Sequence, residues 1–139
     1  MKIQSGTIIL LVYTFLSACA GIEAPSESAT PAPWDPLPSD SEMQRVEIEQ
    51  VDVEIIQLES DTSQFALQIE GALPTPCNHL RVELSFAEDQ SSVEVEIYSV
   101  VDPDEICILV LEPFSEVIPL PEGDYQVSVN NEIVGNLSP

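Results

Sequence analysis

From Arg45 onward, apolar residues recur at every second position. Val46 and Ile48 alternate with Glu47 and Glu49; Val51, Val53 and Ile55 alternate with Asp52 and Glu54. Phe65, Leu67 and Ile69 then alternate with Gln64, Gln68 and Glu70. Side chains on a strand point to opposite faces in turn, so this period builds sheets with one apolar face and one wet face. A helix bundle needs a period near 3.6, which is nowhere sustained. Twelve prolines against five glycines, and the wealth of Val and Ile, point the same way.

The remaining strands follow at short intervals. Leu80, Val82, Leu84 and Phe86 alternate with Arg81, Glu83 and Ser85. Glu88–Ser92 reads as a hairpin turn into Val93, Val95 and Ile97. After a turn at Asp102-Pro103-Asp104, the unbroken apolar run Ile106–Leu111 predicts a strand buried on both faces or shielded by a loop. Pro113 interrupts it, and Val117–Leu120 carries Pro119, which suits only an edge. Glu122-Gly123 turns into Tyr125, Val127 and Val129, and Asn130-Asn131 is a two-residue turn tolerant of positive φ before Ile133–Leu137. The alternation slips by one residue after Gln50, which predicts a β-bulge or a strand that changes sheets. Together these features predict an all-β domain over 45–139. The favoured form is an immunoglobulin-like β-sandwich of seven or eight short antiparallel strands, with a small barrel as the alternative. The antibody-type Cys…Trp…Cys spacing is absent, so the term describes architecture alone.

The N-terminus has a different character. Met1-Lys2 and the apolar stretch Ile8–Leu16 form the charged and hydrophobic parts of a secretory signal, too short to span a bilayer. The segment ends Leu16-Ser17-Ala18-Cys19, which resembles a bacterial lipobox. The resemblance implies that residues 1–18 are removed and that Cys19 is acylated, anchoring the chain to a bilayer outside the cytoplasm. Residues 19–44 read as a disordered acidic tether, with Pro25, Pro31, Pro33, Pro36 and Pro38 among small polar residues. Fully extended, about 25 such residues reach roughly 75 Å. Trp34, the only tryptophan, has four readings: docked on the domain, at the membrane interface, in contact with a ligand, or without a role.

Twenty-five acidic residues against three basic ones give a formal charge of −22, becoming −23 once Lys2 is lost (two Arg against 25 acids). That balance excludes nucleic acid as a partner, since phosphate binding rests on clustered Lys and Arg. Like charges along strands also repel other edges and keep the domain off an anionic bilayer.

Chemistry-bearing residues are few. Cys77 and Cys107 are the cysteines left after lipidation, and outside the cytoplasm a disulfide is the default. Cys77-Asn78-His79 with Cys107 is a weak alternative metal set, and Cys77 with His79 a weak nucleophile pair. Asp102-Pro103-Asp104-Glu105 and Glu88-Asp89 match no recognised calcium loop and read as solvated turns. There is no nucleophile elbow, phosphate-cradling glycine loop or post-signal lysine, so no enzyme and no cofactor is expected.

In organisation, the C-terminal half is similar to small β-domains of bacterial envelope lipoproteins. The shared features are a cysteine-bearing strand (Cys107), the Pro113-Phe114 step and the hairpin Gly123-Asp-Tyr-Gln-Val-Ser-Val-Asn130. The expected role is a non-catalytic binding or structural module whose partner is an envelope protein or glycan. The alternative is an inhibitor of a secreted hydrolase, presenting Pro113 and Phe114 from Val110–Glu116. Trp34, Pro113 and Phe114 form a recognition patch only if Phe114 is exposed beside Trp34.

Overall fold

The structure is a computed structural model and describes residues 30–58 and 64–138. The signal segment and Cys19 lie outside the described residues. A short 3-10 turn, Pro38–Glu42, precedes eight strands: β1 Gln44–Glu47, β2 Val51–Gln57, β3 Phe65–Leu73, β4 His79–Phe86, β5 Ser92–Val101, β6 Glu112–Pro119, β7 Tyr125–Val129 and β8 Glu132–Leu137. One sheet contains β1, β4, β5, β7 and β8; the other runs β2-β3-β6. Leu67, Ile69, Val82, Val93, Val95, Ile118 and Val127 meet between them, each at most 1% exposed. These are the inward members of the alternating runs, so the pattern and the sandwich agree. The phase slip after Gln50 is the point where the chain leaves the first sheet as β1 and enters the second as β2.

β5 is the ten-residue spine of the first sheet. β4 pairs along one of its edges, while β1 takes residues 98–101 and β7 takes residues 92–95 of the other. The β5–β7 pair is parallel, a departure from the all-antiparallel expectation. Between the two partial partners, Ile97 has no strand opposite. Asn130 fills that gap: its side-chain oxygen accepts from Ile97 N–H at 2.8 Å and its amide donates to Ile97 C=O at 3.2 Å. The same residue holds φ of 48° and Asn131 holds 70°, the positive pair of a tight hairpin. Asn130→Ala is expected to cost about 2 kcal/mol, from two lost hydrogen bonds and an unfavourable left-handed alanine. Urea unfolding measures it, and Asn130→Gly should restore only the backbone share.

One edge strand of the second sheet, β6, is protected. Leu120 N–H donates to Phe65 C=O, so even-numbered residues of β6 face β3 and odd-numbered ones face the open edge. Pro113 and Pro119 are odd, so neither removes a ladder bond and both blunt the edge against further pairing. The start of the β7 hairpin is pinned by Tyr125, whose hydroxyl donates to Pro121 C=O and whose ring meets Phe86 edge-on at 5.5 Å. This is the corner device common in immunoglobulin-like sandwiches.

Residues 31–43 differ from the expected disordered tether: the compact unit begins at Pro31, not Arg45. Trp34 C=O accepts from Val82 N–H at 2.9 Å on the open edge of β4, and the indole packs against the core. β1 lies on the far side of β5, so the chain from Asp35 to Met43 crosses the outer face of β4 and β5. Beneath that strap, Arg81, Tyr98 and Val100 are 4%, 7% and 2% exposed, although they point away from the core. Arg81 Nε donates to Asp40 at 2.6 Å and Nη2 at 3.0 Å, a bidentate pair whose side chains are 5% and 11% exposed. Pro38 opens the 3-10 turn, a position where its missing N–H is not needed, and the prolines before it keep the rest of the strap extended with few N–H donors to satisfy.

The second correction concerns Ile106–Leu111, expected as a buried strand. It forms no strand, and Ile106, Ile108, Leu109, Val110 and Leu111 are 54–100% exposed. The register gives the reason. Glu112 pairs with Leu73, the last residue of β3, so everything before Glu112 overshoots the end of the sheet and has no neighbour to pair with.

Candidate functional site

The end of the sandwich that carries this run is built on a buried polar relay. Asn78, 5% exposed, accepts from Thr75 Oγ1 at 2.7 Å and donates to Ser99 Oγ at 3.0 Å. Ser99 in turn donates to Val46 C=O at 3.2 Å, joining the β3–β4 loop, β5 and β1. Ser99 faces inward on β5 and is fully buried, so its hydroxyl needs these partners. The relay fixes the loop containing Cys77. From that fixed base the Cys77–Cys107 disulfide holds the apolar run, with S–S 2.11 Å and Cα atoms 6.1 Å apart.

Among the described residues, the run's own backbone makes one hydrogen bond, Val110 N–H to Ile108 C=O at 3.1 Å. At its C-terminal end Leu111 borders a shallow groove of about 490 Å³ with Val46, Gln50, Ala72 and Pro74. Asp102, Asp104 and Glu105 precede the run and Glu112 follows it, all exposed. The arrangement presents an exposed apolar segment, its main-chain groups largely unpaired among the described residues, inside an acidic frame. Exposure of this size on a folded domain marks an interaction surface more often than an accident.

The other sequence-predicted residues take plain positions. His79 is exposed at the start of β4, and Cys77 is committed to its disulfide, so no Cys–His thiolate pair exists. Among the described residues, no three His, Cys, Asp or Glu side chains gather where they could hold a metal. Asp102 accepts from the Asp104 N–H at 2.9 Å. Asp89 accepts from Ser91 N–H and Oγ, bonds that hold its carboxyl below the usual 3.8. Both acids thus serve their own turns.

The Trp34, Pro113 and Phe114 patch is not assembled as one exposed surface. Phe114 lies within β6 and is half-buried against the core, its ring over Gly71, where a Cβ would stand 2.8 Å from Phe114 Cζ and 2.7 Å from Gln50 C=O. It is therefore part of a strand and does not project from a turn. Trp34 packs on the same core from the strap, no ring contact joins the two among the described residues, and Pro113 alone is exposed.

Sequence reasoning missed the exposed run because apolarity alone was read as burial. Carboxylates crowding both its ends are the signal that it does not cross a core, since a central strand would draw them inward.

No curated protein and no solved structure matches the chain. Residues 67–138, from β3 to the end of β8, match the model of the ORF11 β-sandwich domain. The matched stretch contains both cysteines of the disulfide, the apolar run, the β6 edge and the Asn130 hairpin, and over half of its length the chain belongs to the ORF11 β-sandwich domain family.

Proposed function

We propose that the protein is a lipid-anchored module held outside the cytoplasm of a bacterium, which acts by non-catalytic binding to an envelope component. The observation that carries this reading is the lipobox Leu16-Ser17-Ala18-Cys19 directly after a short apolar segment. A cysteine at that point needs an explanation, and acylation supplies one. The Cys77–Cys107 pair supports an oxidising compartment. Two or three acyl chains anchor stably where one does not, because each buried methylene contributes about 0.8 kcal/mol.

Cys19→Ala is expected to abolish acylation and to move the protein from the detergent phase to the aqueous phase, or leave it as uncleaved precursor. Phase partitioning with mass spectrometry of the N-terminal peptide reads both outcomes. Unchanged partitioning in the variant would overturn the anchor. Crosslinking on intact cells tests the module itself. A stoichiometric structural envelope component supports binding without catalysis, whereas a hydrolase inhibited by the domain would replace this reading with an inhibitor.

A further inference from the structure

We propose that Ile106–Leu111 is the docking segment of the module, and that it takes an extended apolar segment of another protein flanked by Lys or Arg. The inference rests on the binding-module reading and adds to it the surface and the chemistry of the partner.

At two of its sheet edges the fold guards against pairing. The strap covers the edge of β4, and Pro113 and Pro119 blunt that of β6. The run has no such guard. Apart from the disulfide-bonded Cys107 its residues are β-branched or aliphatic, it contains no proline or charge, and among the described residues its main chain makes one hydrogen bond. Strand addition needs these properties: main-chain groups give affinity and alternate side chains give fit. Ile106 and Leu109, 100% and 91% exposed, contribute nothing to the core. The disulfide presents the segment at a fixed place and lowers the cost of ordering it.

Charge selects the occupant. Asp102, Asp104, Glu105 and Glu112 frame the run, and no lysine or arginine lies near it in sequence. A second copy would set two such frames together on chains each carrying −22, which repels. A bilayer is a poor match, because membrane-inserting segments are framed by basic or aromatic anchors, not carboxylates. A cation-flanked partner satisfies both the apolar segment and its frame.

The test uses the full-length protein in its natively processed form. Two labelled peptides are titrated, Arg-Arg-Val-Ile-Val-Ile-Val-Arg-Arg and its counterpart with Glu at the four flanking positions. The arginine peptide is expected to bind about tenfold tighter or better, with affinity falling as salt rises. The double variant Ile106→Asp with Leu109→Asp should lose at least that factor while keeping its disulfide mass and thermal midpoint. Equal binding of the two peptides, or equal binding by wild type and variant, overturns the proposal. So does self-association, or partitioning into phosphatidylcholine–phosphatidylglycerol vesicles, that the variant abolishes while peptide binding is absent. The mass at Cys19 is read on the same sample, so a missing anchor and a missing docking segment register separately.

Discussion

Asp40→Ala is expected to lower the unfolding free energy by about 3 kcal/mol or more, because it leaves Arg81 as a buried cation without its partner. The loss exceeds that of a surface ion pair, worth about 0–1 kcal/mol, since both side chains are nearly enclosed. It is local in origin. Arg81 ties the strap down, and its Nη1 also donates to Leu80 C=O at 2.9 Å. Hydrogen exchange at Val82 N–H, which bonds Trp34 C=O, should accelerate before exchange in β3 does. Asp40→Ala with Arg81→Leu should recover part of the loss, since the double variant buries no unpaired charge.

The same pair has a definite pH signature. Hydrogen bonding from Arg81 is the chief reason the Asp40 carboxyl sits below its ordinary 3.8. A carboxylate with a depressed folded value stabilises fully above its unfolded value and ceases to do so as pH falls through the folded one. The stability difference between wild type and Asp40→Asn should therefore be flat above about pH 4 and shrink below it. A difference that grows on acidification would contradict the ion pair. Taking the difference is necessary, because the other carboxylates of a chain with 25 acids also protonate in that range.

Removing the disulfide is the second large effect. Cys77 and Cys107 close a loop spanning 30 positions, and Cys77→Ser with Cys107→Ser should cost about 3–4 kcal/mol by the chain-entropy argument. Neither cysteine belongs to the core cluster, so the loss should act on the unfolded chain and leave the native sandwich unaltered. Equilibrium urea unfolding gives the magnitude. Unchanged native circular dichroism, with faster proteolysis confined to residues 102–111, gives the location. If the core spectrum collapsed instead, the disulfide would be holding the sheets together and not the apolar run.

The two arginines show how an acidic chain places scarce cations. Arg45 pairs with Glu96 at 3.0 Å and lies 3.7 Å over the Tyr98 ring, while Arg81 sits under the strap beside the same tyrosine. Both flank β5, where Tyr98 and Val100 turn outward and need cover.

The sequence by itself determined an all-β domain and favoured the sandwich, because a period of two admits only strands with one apolar face, and those strands bury it most simply against another such sheet, although a closed barrel would also bury it. Local chemistry was equally legible: Asn130-Asn131 as a positive-φ hairpin, a break after Gln50 that the structure resolves as a sheet change and not a bulge, Pro119 at an edge, and the pairing of Cys77 with Cys107. Three matters were decided only by the tertiary structure, and each depends on what lies opposite a residue in space. Pro31–Met43 has no periodicity, yet it is ordered because β4 offers an open edge and Arg81 a buried cation. Phe114 turns inward because Gly71 opposite it leaves room for a ring. Ile106–Leu111 reads as the most core-like stretch of the chain, yet its apolar side chains are 54–100% exposed, because β3 ends at Leu73 and leaves it without a neighbour. Hydrophobicity states what a residue gains from burial, but only the register of distant strands decides whether there is anything to bury it against.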